Sequence, residues 1–345
     1  MVFFIVNPRA GQGMGLKLWE KMKEEGKSLL GEEGFSVFFT EKQGDAKLFA
    51  REITREMHRE LAEEASRSIE EAAQEEQAEG LGEKVQESSA LKRKVEERIV
   101  VIGGTGTLNE VIDGAMLDNS SCLISFLPVH RDNDFARALH KGYKIPDSLA
   151  SLFAKEERKV DYGIVEGERG HRRFVVSAGL GFDAAVLQEL LSMGCSICPK
   201  QKQRLRSKSL SYFYAFLKEL KRAKKLKGSI LLDGEERVEF NHILFLSIHN
   251  HPYESGYALG SGASGEDGFL DLCLVSTKKK LRLFWIMFTA LFGWHKSLPG
   301  VHCYRFKKVE IHLEQEMAFH VDGESLGKEK DLSISCMPRR LRIQI

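Results

Sequence analysis

Residues 98–114 have the sequence RIVVIGGTGTLNEVIDG, which places a glycine-rich loop between an apolar run and a helical pattern. The run Arg98–Ile102 predicts a buried strand, and the spacing of apolar residues over Leu108–Leu117 predicts a helix. Three glycines between a strand and a helix occupy the position at which open α/β sheets bind their ligands. The stretch therefore predicts an α/β fold with a ligand loop at this strand's carboxyl end.

Similar units precede and follow this stretch. Val2–Asn7 is an apolar run that ends in Asn7-Pro-Arg-Ala-Gly-Gln-Gly, and the run Leu123–Leu127 is followed by Pro128-Val-His-Arg-Asp-Asn-Asp-Phe-Ala-Arg. Phe35–Thr40 predicts a further strand, with Asp45 as the cap of the helix after it. Strands that alternate with helices indicate a mainly parallel, helix-covered sheet. By itself, the first loop is equally well explained as a tight turn without a ligand.

The pattern changes after about residue 161. Short apolar runs separated by Asp-Gly turns predict a largely antiparallel second domain. Two helical stretches, Leu205–Leu226 and Lys280–Trp294, interrupt it. The predicted strands are Phe174–Ser177, Ser229–Leu232, His242–Ile248, Leu270–Val275, Val309–Leu313, Met317–Val321 and Leu332–Ser335.

The composition is that of a globular protein with two domains. The chain has 345 residues, of which 42% are hydrophobic, and its longest apolar runs fall short of the ~20 residues that span a membrane. The start, Met1–Asn7, lacks the features of a signal peptide. Six cysteines in a chain of this length do not form a disulfide framework, so we expect a reducing, cytoplasmic location. Cys195 and Cys198 have the spacing of half a zinc site, and we interpret them as small apolar residues.

The net charge of +1 conceals two blocks of opposite sign. From Glu60 to Glu87 there are ten acidic and two basic residues, and from Lys200 to Lys227 there are eleven basic residues and one acidic residue. The acidic block belongs to Met57–Glu97, which predicts solvated helices broken at Gly80–Gly82 or, alternatively, a docking arm. The basic block contains aromatic residues, which suits either an anionic membrane surface or a helix with its aromatic face in the core.

The order of the three loops resembles the diacylglycerol kinase catalytic-domain family, which includes bacterial lipid kinases and sphingosine kinases and is distantly related to NAD kinases. Its pattern is N-P-x-x-G, then G-G-D-G-T-x-x-E-x-x-N-G, then P-x-G-T-x-N-D-F-A-R. Five further segments are similar, and together with the three loops they extend from residue 5 to about 343, leaving out mainly 57–97. They are Thr40–Ala46, Ser177–Ala184, Gly260–Asp271, Val321–Glu324 and Met337–Ile343.

The resemblance implies an α/β nucleotide-binding domain of the NAD kinase and diacylglycerol kinase type, followed by a mainly antiparallel β-sandwich. We place the first domain at 1–145, with the charged helical insertion at about 57–97. The second domain, at 146–345, would hold the lipid substrate, and its final segment could return to the first domain. ATP and the lipid would meet in the cleft between them.

The resemblance also implies which residues form the site. Asp267 matches the base proposed for bacterial members, and Asp183 matches the position that sphingosine kinases use at the acceptor head group. Without the resemblance, Asp267 is a hairpin turn residue and Asp183 a helix cap. The residues implied at the nucleotide are Asn7, Gly11, Thr40, Gly103, Gly104, Thr105, Gly106, Thr107, Glu110, Asn133, Asp134 and Glu324.

Two loops depart from the family pattern. Thr105 stands where the family has an aspartate, and a hydroxyl cannot supply the charge that holds Mg²⁺ near phosphates. His130-Arg131-Asp132 replaces Gly-Thr-Gly. Glycine lets the backbone approach a phosphate closely, and the three longer side chains should obstruct that approach. Arg131 could bind a phosphate instead, and Asp132 could replace the missing metal ligand.

These features together predict an ATP- and Mg²⁺-dependent lipid kinase that phosphorylates a lipid hydroxyl of the diacylglycerol type, in phospholipid biosynthesis. The alternative is a catalytically impaired relative that binds a nucleotide or a lipid as a regulatory protein. A third reading is an NAD-kinase-like enzyme with a soluble acceptor. We expect a lipid partner at the inner membrane face and no nucleic acid, and a homodimer is left open.

Overall fold

The structure is a computed structural model. It describes residues 1–78, 97–117, 122–130, 133–140, 143–168, 170–192, 214–223, 225–253, 258–260, 262–290 and 292–345. Within the predicted insertion at 57–97, residues 79–96 lie outside these ranges, and they include Gly80–Gly82. Cys195, Cys198 and the first part of the basic block also lie outside them. None of the described helices is both long enough and apolar enough to cross a membrane.

The first half is a parallel sheet in the order β4-β3-β1-β2 with helices on both faces. Side chains alternate along β1, so Phe3 and Ile5 pack with α2 and α3, whereas Phe4 and Val6 pack against Trp19 of α1. The elements are β1 (Val2–Val6), α1 (Met14–Leu30), β2 (Phe35–Phe39), α2 (Asp45–Ala78), β3 (Arg98–Gly103), α3 (Thr105–Gly114), β4 (Leu123–Pro128), α4 (Asp134–Leu139) and α5 (Leu149–Phe153).

The second half is built from antiparallel strands. Its elements are β5 (Arg158–Gly167), β6 (Gly170–Phe174), β7 (Ser177–Gly181), α6 (Phe182–Ser192), α7 (214–222), β8 (Lys225–Leu232), β9 (Glu236–His249), β10 (Leu270–Thr277), α8 (Lys280–Ala290), β11 (Val301–Phe306), β12 (Lys308–Val321) and β13 (Glu324–Gln344). One core lies between the strands, and a second lies beneath α6, α7 and α8. The predicted fold class, an α/β half followed by an antiparallel β half, is confirmed.

The last strand belongs to both halves. Most of β13 pairs antiparallel with β12 and β5, but Ile343 and Gln344 pair in parallel with Ile124 and Ser125 of β4. The described strands are thereby hydrogen-bonded into one sheet of 13. The domain boundary at residue 145 stays a prediction.

Several predicted elements were wrong in detail. The strand at Phe174–Ser177 does not exist as such, because Val175 and Val176 connect β6 to β7 and turn their amides toward Asp322. The runs Val309–Leu313 and Met317–Val321 are one strand, β12, with an irregular register between them. The apolar pattern did not reveal this, because Glu314–Glu316 interrupts it.

Helix boundaries also differ from the predictions. Helix α3 begins at Thr105, before the predicted start at Leu108. The sequence pattern missed its first turn because that turn is polar and carries no apolar signal. The carboxylate of Asp45 does not cap α2, since it accepts the amides of Glu41 and Lys42 in the preceding turn. The basic stretch changes to strand at Lys225, and α8 ends at Ala290, before Trp294. Strands β5 and β11 were not predicted, and β6 and β7 each share only one residue with the predicted strand Phe174–Ser177.

Candidate active site

A cavity of about 780 Å³ opens where the parallel strands end at their carboxyl edge. The loops after β1, β2, β3 and β4 form one wall, and the connection from β12 to β13 forms the other. Its lining residues are Asn7, Arg9, Ala10, Thr40–Gln43, Gly103–Thr107, Glu110, Val129, His130, Asn133, Asp134, Val176, Ser177 and Asp322–Ser325. Elements from both halves of the chain therefore enclose the cavity.

The first loop is held to the second through Asn7. Its side-chain oxygen accepts the amides of Arg9 and Ala10, at 3.1 and 3.0 Å, and its Nδ2 donates to Thr107 Oγ1 at 3.0 Å. Helix α1 packs closely behind this loop, because a Cβ on Gly15 would lie 2.0 Å from the Asn7 carbonyl oxygen. These contacts fix the loop's position at the cavity.

The amino terminus of α3 faces the cavity without a side-chain cap. Gly104 is the N-cap residue, and the first turn contains no acidic residue. The first amides of a helix have no partner within it, and the helix dipole adds positive potential there, so the site suits an anion. A Cβ on Gly104 or Gly106 would meet no atom of the described residues within 4 Å, so these residues leave the backbone accessible from the cavity.

The third loop is tied to the second through Asn133. This residue caps α4 by accepting the Ala136 amide at 3.0 Å, and its Nδ2 donates to Thr105 Oγ1 at 2.9 Å. The threonine that replaces the family's aspartate thus joins two loops. His130 also lines the cavity and lies beside Gly11, while Arg131 and Asp132 lie outside the described residues.

Two glutamates on the cavity have different electrostatic surroundings. Glu324 accepts hydrogen bonds from Gln43 and from Arg172, the latter at 2.6 Å. Burial raises the pKa of Glu110 and the nearby Glu324 adds to this, whereas the amides of Gly44 and Ala46 oppose it. Glu324 therefore has a guanidinium partner, whereas burial disfavours the charged form of Glu110.

Arg172 connects Glu324 to a buried carboxylate. Its guanidinium lies 3.3 Å from the fully buried Asp113, which also binds Lys47 Nζ at 2.6 Å and the Arg173 amide at 2.9 Å. Asp113 belongs to α3, and Arg172 to β6. This network couples the position of Glu324 to the helix whose amino terminus faces the cavity.

Asp322 joins the two walls of the cavity. Its oxygens accept the amides of Val175, Val176 and Ser177 at 2.8–2.9 Å and Asn109 Nδ2 at 2.7 Å. Burial raises the pKa of this carboxyl group, while the four hydrogen bonds act in the opposite direction. Asp322 and Gly323 both have positive φ, 46° and 79°. Aspartate and glycine adopt this left-handed conformation more readily than most residues, so both suit the turn.

The structure brings together most of the residues that the sequence predicted at the nucleotide. Eleven of the twelve line the cavity, and Gly11 lies against His130 at its edge. Asp267 and Asp183 do not line it. Asp267 pairs with Arg305 beside the turn anchored by buried Asp161, and Asp183 binds His320 at 2.7 Å. The roles of all these residues stay predictions.

Sequence reasoning missed the supporting network. Asp322 lies inside the Val-Asp-Gly-Glu segment and Asn109 inside the glycine-rich segment, so both could have been found there. Asp113 and Arg172 are 59 positions apart, and only the fold shows that they meet. Among the described residues, no group of three or more His, Cys, Asp and Glu side chains is arranged to hold a metal ion.

Two family models match the chain. The diacylglycerol kinase catalytic domain matches residues 53–165, and the YegS C-terminal NAD kinase beta sandwich-like domain matches residues 194–345. Together they cover most of both halves.

Similar curated proteins and solved structures agree with these matches. A Bacillus subtilis (strain 168) protein named as a lipid kinase, YtlR, is 25% identical over 349 residues, covering 99% of this chain and 98% of that protein. A Staphylococcus saprophyticus protein named diacylglycerol kinase is 26% identical over 72% of this chain and 77% of its own length. A Bacillus anthracis str. Sterne structure described as a diacylglycerol kinase has a TM-score of 0.61 at 19% identity, covering 99% of this chain and 95% of that chain. This last likeness shows the fold.

Proposed function

The chain belongs to the diacylglycerol kinase catalytic-domain family, and from this premise we propose that it transfers the γ-phosphoryl group of ATP to a lipid hydroxyl. The observation that carries the proposal is the uncapped amino terminus of α3, with the open backbone of Gly104 and Gly106 on the cavity. That arrangement suits a polyphosphate better than a neutral ligand.

The residues of the cavity fit the phosphates of ATP. The amides at the start of α3 would bind phosphate oxygens, and Arg9 and Lys42 on the lining would add positive charge. Asn7 and Asn133 hold the loops on either side through Thr107 and Thr105, so the site is preorganised. Positioning and charge stabilisation supply most of the catalysis in phosphoryl transfer.

Magnesium ions are usually held by one or two carboxylates together with the phosphates of the substrate. Glu110, Asp134 and Glu324 line the cavity and are the candidate carboxylates. The ion would neutralise charge on the transferring phosphoryl group. Thr105 supplies no charge, which leaves this site with fewer acidic groups than the family pattern has.

The candidate base is Asp267, as the family resemblance suggests. Its turn is anchored by buried Asp161, which accepts the Gly268 amide at 2.7 Å and the Arg339 amide at 2.7 Å. The Asp161 carbonyl accepts Asn250 Nδ2, which also binds the carbonyl of Val175, one residue from Val176 on the cavity wall. Buried hydrogen bonds therefore connect the turn to the cavity. Asp183 is the candidate contact for the acceptor head group.

The test is phosphate transfer from radiolabelled ATP to diacylglycerol, sphingosine and related lipids in detergent micelles, with NAD as a soluble comparison. We expect a labelled lipid product, a loss of at least about 100-fold for Asp267→Asn, and unchanged Mg-ATP binding in that variant. No product from folded protein with any lipid would overturn the proposal. Product with NAD alone would favour an NAD-kinase-like activity.

The same samples separate an active kinase from a catalytically impaired relative. The impaired relative predicts that Mg-ATP gives no thermal shift and that Thr105→Asp restores it, because an added carboxylate would hold Mg²⁺. Micromolar Mg-ATP binding by the unaltered protein would contradict that alternative.

A further inference from the structure

An apolar surface lies on α8 and the turn after it. Leu281, Trp285, Phe288, Phe292 and Trp294, which we call the aromatic ridge, have exposed fractions between 48% and 71%. Leu281, Trp285 and Phe288 are spaced so that they share one face of the helix. Contiguous exposed apolar surface of this kind marks an interaction site.

The ridge is an ordered structure. Its rings contact each other in sequence, from Trp285 to Phe288 to Phe292 to Trp294, with centroids 5.9, 6.0 and 5.1 Å apart. The opposite face of α8 buries its own apolar set in the core beneath α6 and α7: Leu283, Ile286, Met287 and Ala290. Folding therefore uses one face of α8 and leaves the other to bind a partner.

The chain around the ridge is positively charged. Between Asp271 and Glu310 there is no acidic residue, and there are eight lysines and arginines. Lys278, Lys279 and Arg282 are exposed around the start of α8 and have no carboxylate partner in the part of the chain that the structure describes. A partner of complementary charge would be anionic.

We propose that the aromatic ridge docks the protein on an anionic lipid bilayer. Tryptophan and phenylalanine side chains favour the boundary between head groups and acyl chains, and each nearby lysine or arginine adds attraction to anionic lipid. A second copy of the chain is a poorer partner, because a symmetric contact would bring two basic surfaces together. The purpose of this docking rests on the proposed function, since a lipid acceptor is reached from the membrane.

The ridge is also close to the candidate acceptor site in the fold. Leu283 and Ile286 of α8 share a core with Phe182 and Val186 of α6, and Asp183 lies between those two residues in the sequence. Docking through α8 would therefore place the membrane on a helix that shares its core with the helix carrying Asp183.

The first experiment uses intrinsic fluorescence, without ATP or acceptor lipid. Trp285 and Trp294 lie in the ridge, and the third tryptophan, Trp19, is 7% exposed. With phosphatidylglycerol vesicles we expect a blue shift and quenching by brominated acyl chains, and with phosphatidylcholine vesicles we expect neither. An emission spectrum unchanged by anionic vesicles would overturn the proposal.

The second experiment measures vesicle flotation of variants. Trp285→Ala with Phe288→Ala, and separately Lys278→Glu with Arg282→Glu, are each expected to weaken binding by at least about 10-fold. The control is Leu29→Ala with Leu48→Ala, which removes two similarly exposed apolar side chains from α1 and α2 and should bind normally. Equal binding of all variants, or binding insensitive to salt, would contradict docking through the ridge.

Two further measurements distinguish membrane docking from dimer formation and from the proposed kinase function. If the ridge covers a second copy, light scattering will show a dimer that Trp285→Ala with Phe288→Ala dissociates, and that result would overturn the membrane assignment. With a short-chain acceptor in detergent, the ridge variants should keep the activity of the unaltered protein. Absent activity with intact vesicle binding would count against the proposed kinase function alone.

Discussion

At the scale of single residues, Asp322 shows how one carboxylate can hold a site together. Three of its four donors are the consecutive amides that lead from β6 into the first residue of β7, and the fourth is the side chain of Asn109 in α3. The four residues that donate to it, Asn109, Val175, Val176 and Ser177, are all buried, whereas Asp322 itself is half-buried. A buried donor without an acceptor costs about 1–3 kcal/mol, so the turn is sensitive to any change at this position.

We predict that Asp322→Asn lowers the free energy of unfolding by about 2–4 kcal/mol, measured by urea denaturation. The NH2 group of the new asparagine would face N–H donors and could not accept their hydrogen bonds. Asp233→Asn is the matched control, because Asp233 also has positive φ, is followed by glycine and accepts two amides, yet lies at an exposed hairpin. That variant should lose less than about 1 kcal/mol. Equal losses in the two variants would contradict the role assigned to burial.

At the scale of elements, α3 combines an anchored end with the proposed phosphate-binding turn in ten residues. Its carboxyl-terminal end is anchored by Arg173, which donates to the carbonyls of Ile112 and Ala115, and by Asp113, which binds Lys47. Its amino-terminal turn makes no side-chain cap. The helix is therefore fixed at the end away from the cavity and open at the end that would meet a phosphate.

We predict that Gly106→Ala stabilises the fold and weakens Mg-ATP binding. Alanine favours a helix over glycine by about 0.5–1 kcal/mol, and no atom in the described part of the chain lies within 4 Å to resist the new methyl group. The same methyl group would occupy space above the amides of the first turn. Urea denaturation and calorimetric titration of Mg-ATP should move in opposite directions. The contrasting variant is Gly103→Ala, whose Cβ would lie 2.7 Å from Thr107, so it should lose stability. Unchanged nucleotide affinity in Gly106→Ala would contradict this assignment.

The sequence predicted the α/β half well because strand, loop and helix follow one another locally. Val2–Val6 and Ile99–Ile102 are buried on both faces, so their apolar character is continuous. It did not predict β11, whose pattern is broken by His302, Cys303 and Arg305, three residues on a half-exposed strand. Sequence motifs identified the loop residues of the site. They could not reveal the ion pairs of Arg172, because those depend on which strand lies beside α3 in the fold.

At the scale of the whole molecule, the last strand makes the two halves depend on each other. Ile343 and Ile345 are buried in the core of the first half, although the strand they end begins beside the cavity. Gln344 is 4% exposed and binds four groups of the first half. Its Oε1 accepts from Arg98 and Ser125, and its Nε2 donates to the carbonyls of Phe153 and Lys155.

We therefore expect the protein to unfold in one transition and Gln344→Ala to lower its stability by about 2–4 kcal/mol, since buried partners would lose their hydrogen bonds. Trp19 fluorescence, in a Trp285→Phe, Trp294→Phe background, follows the first half, and far-ultraviolet circular dichroism follows both.

Gln315→Ala, on the exposed interruption of β12, is the control and should change stability by less than about 0.5 kcal/mol. Because β13 is hydrogen-bonded in both halves, the two probes should report the same lowered midpoint in Gln344→Ala. Separate midpoints in the unaltered protein would show that the halves fold independently and that the shared strand does not couple them.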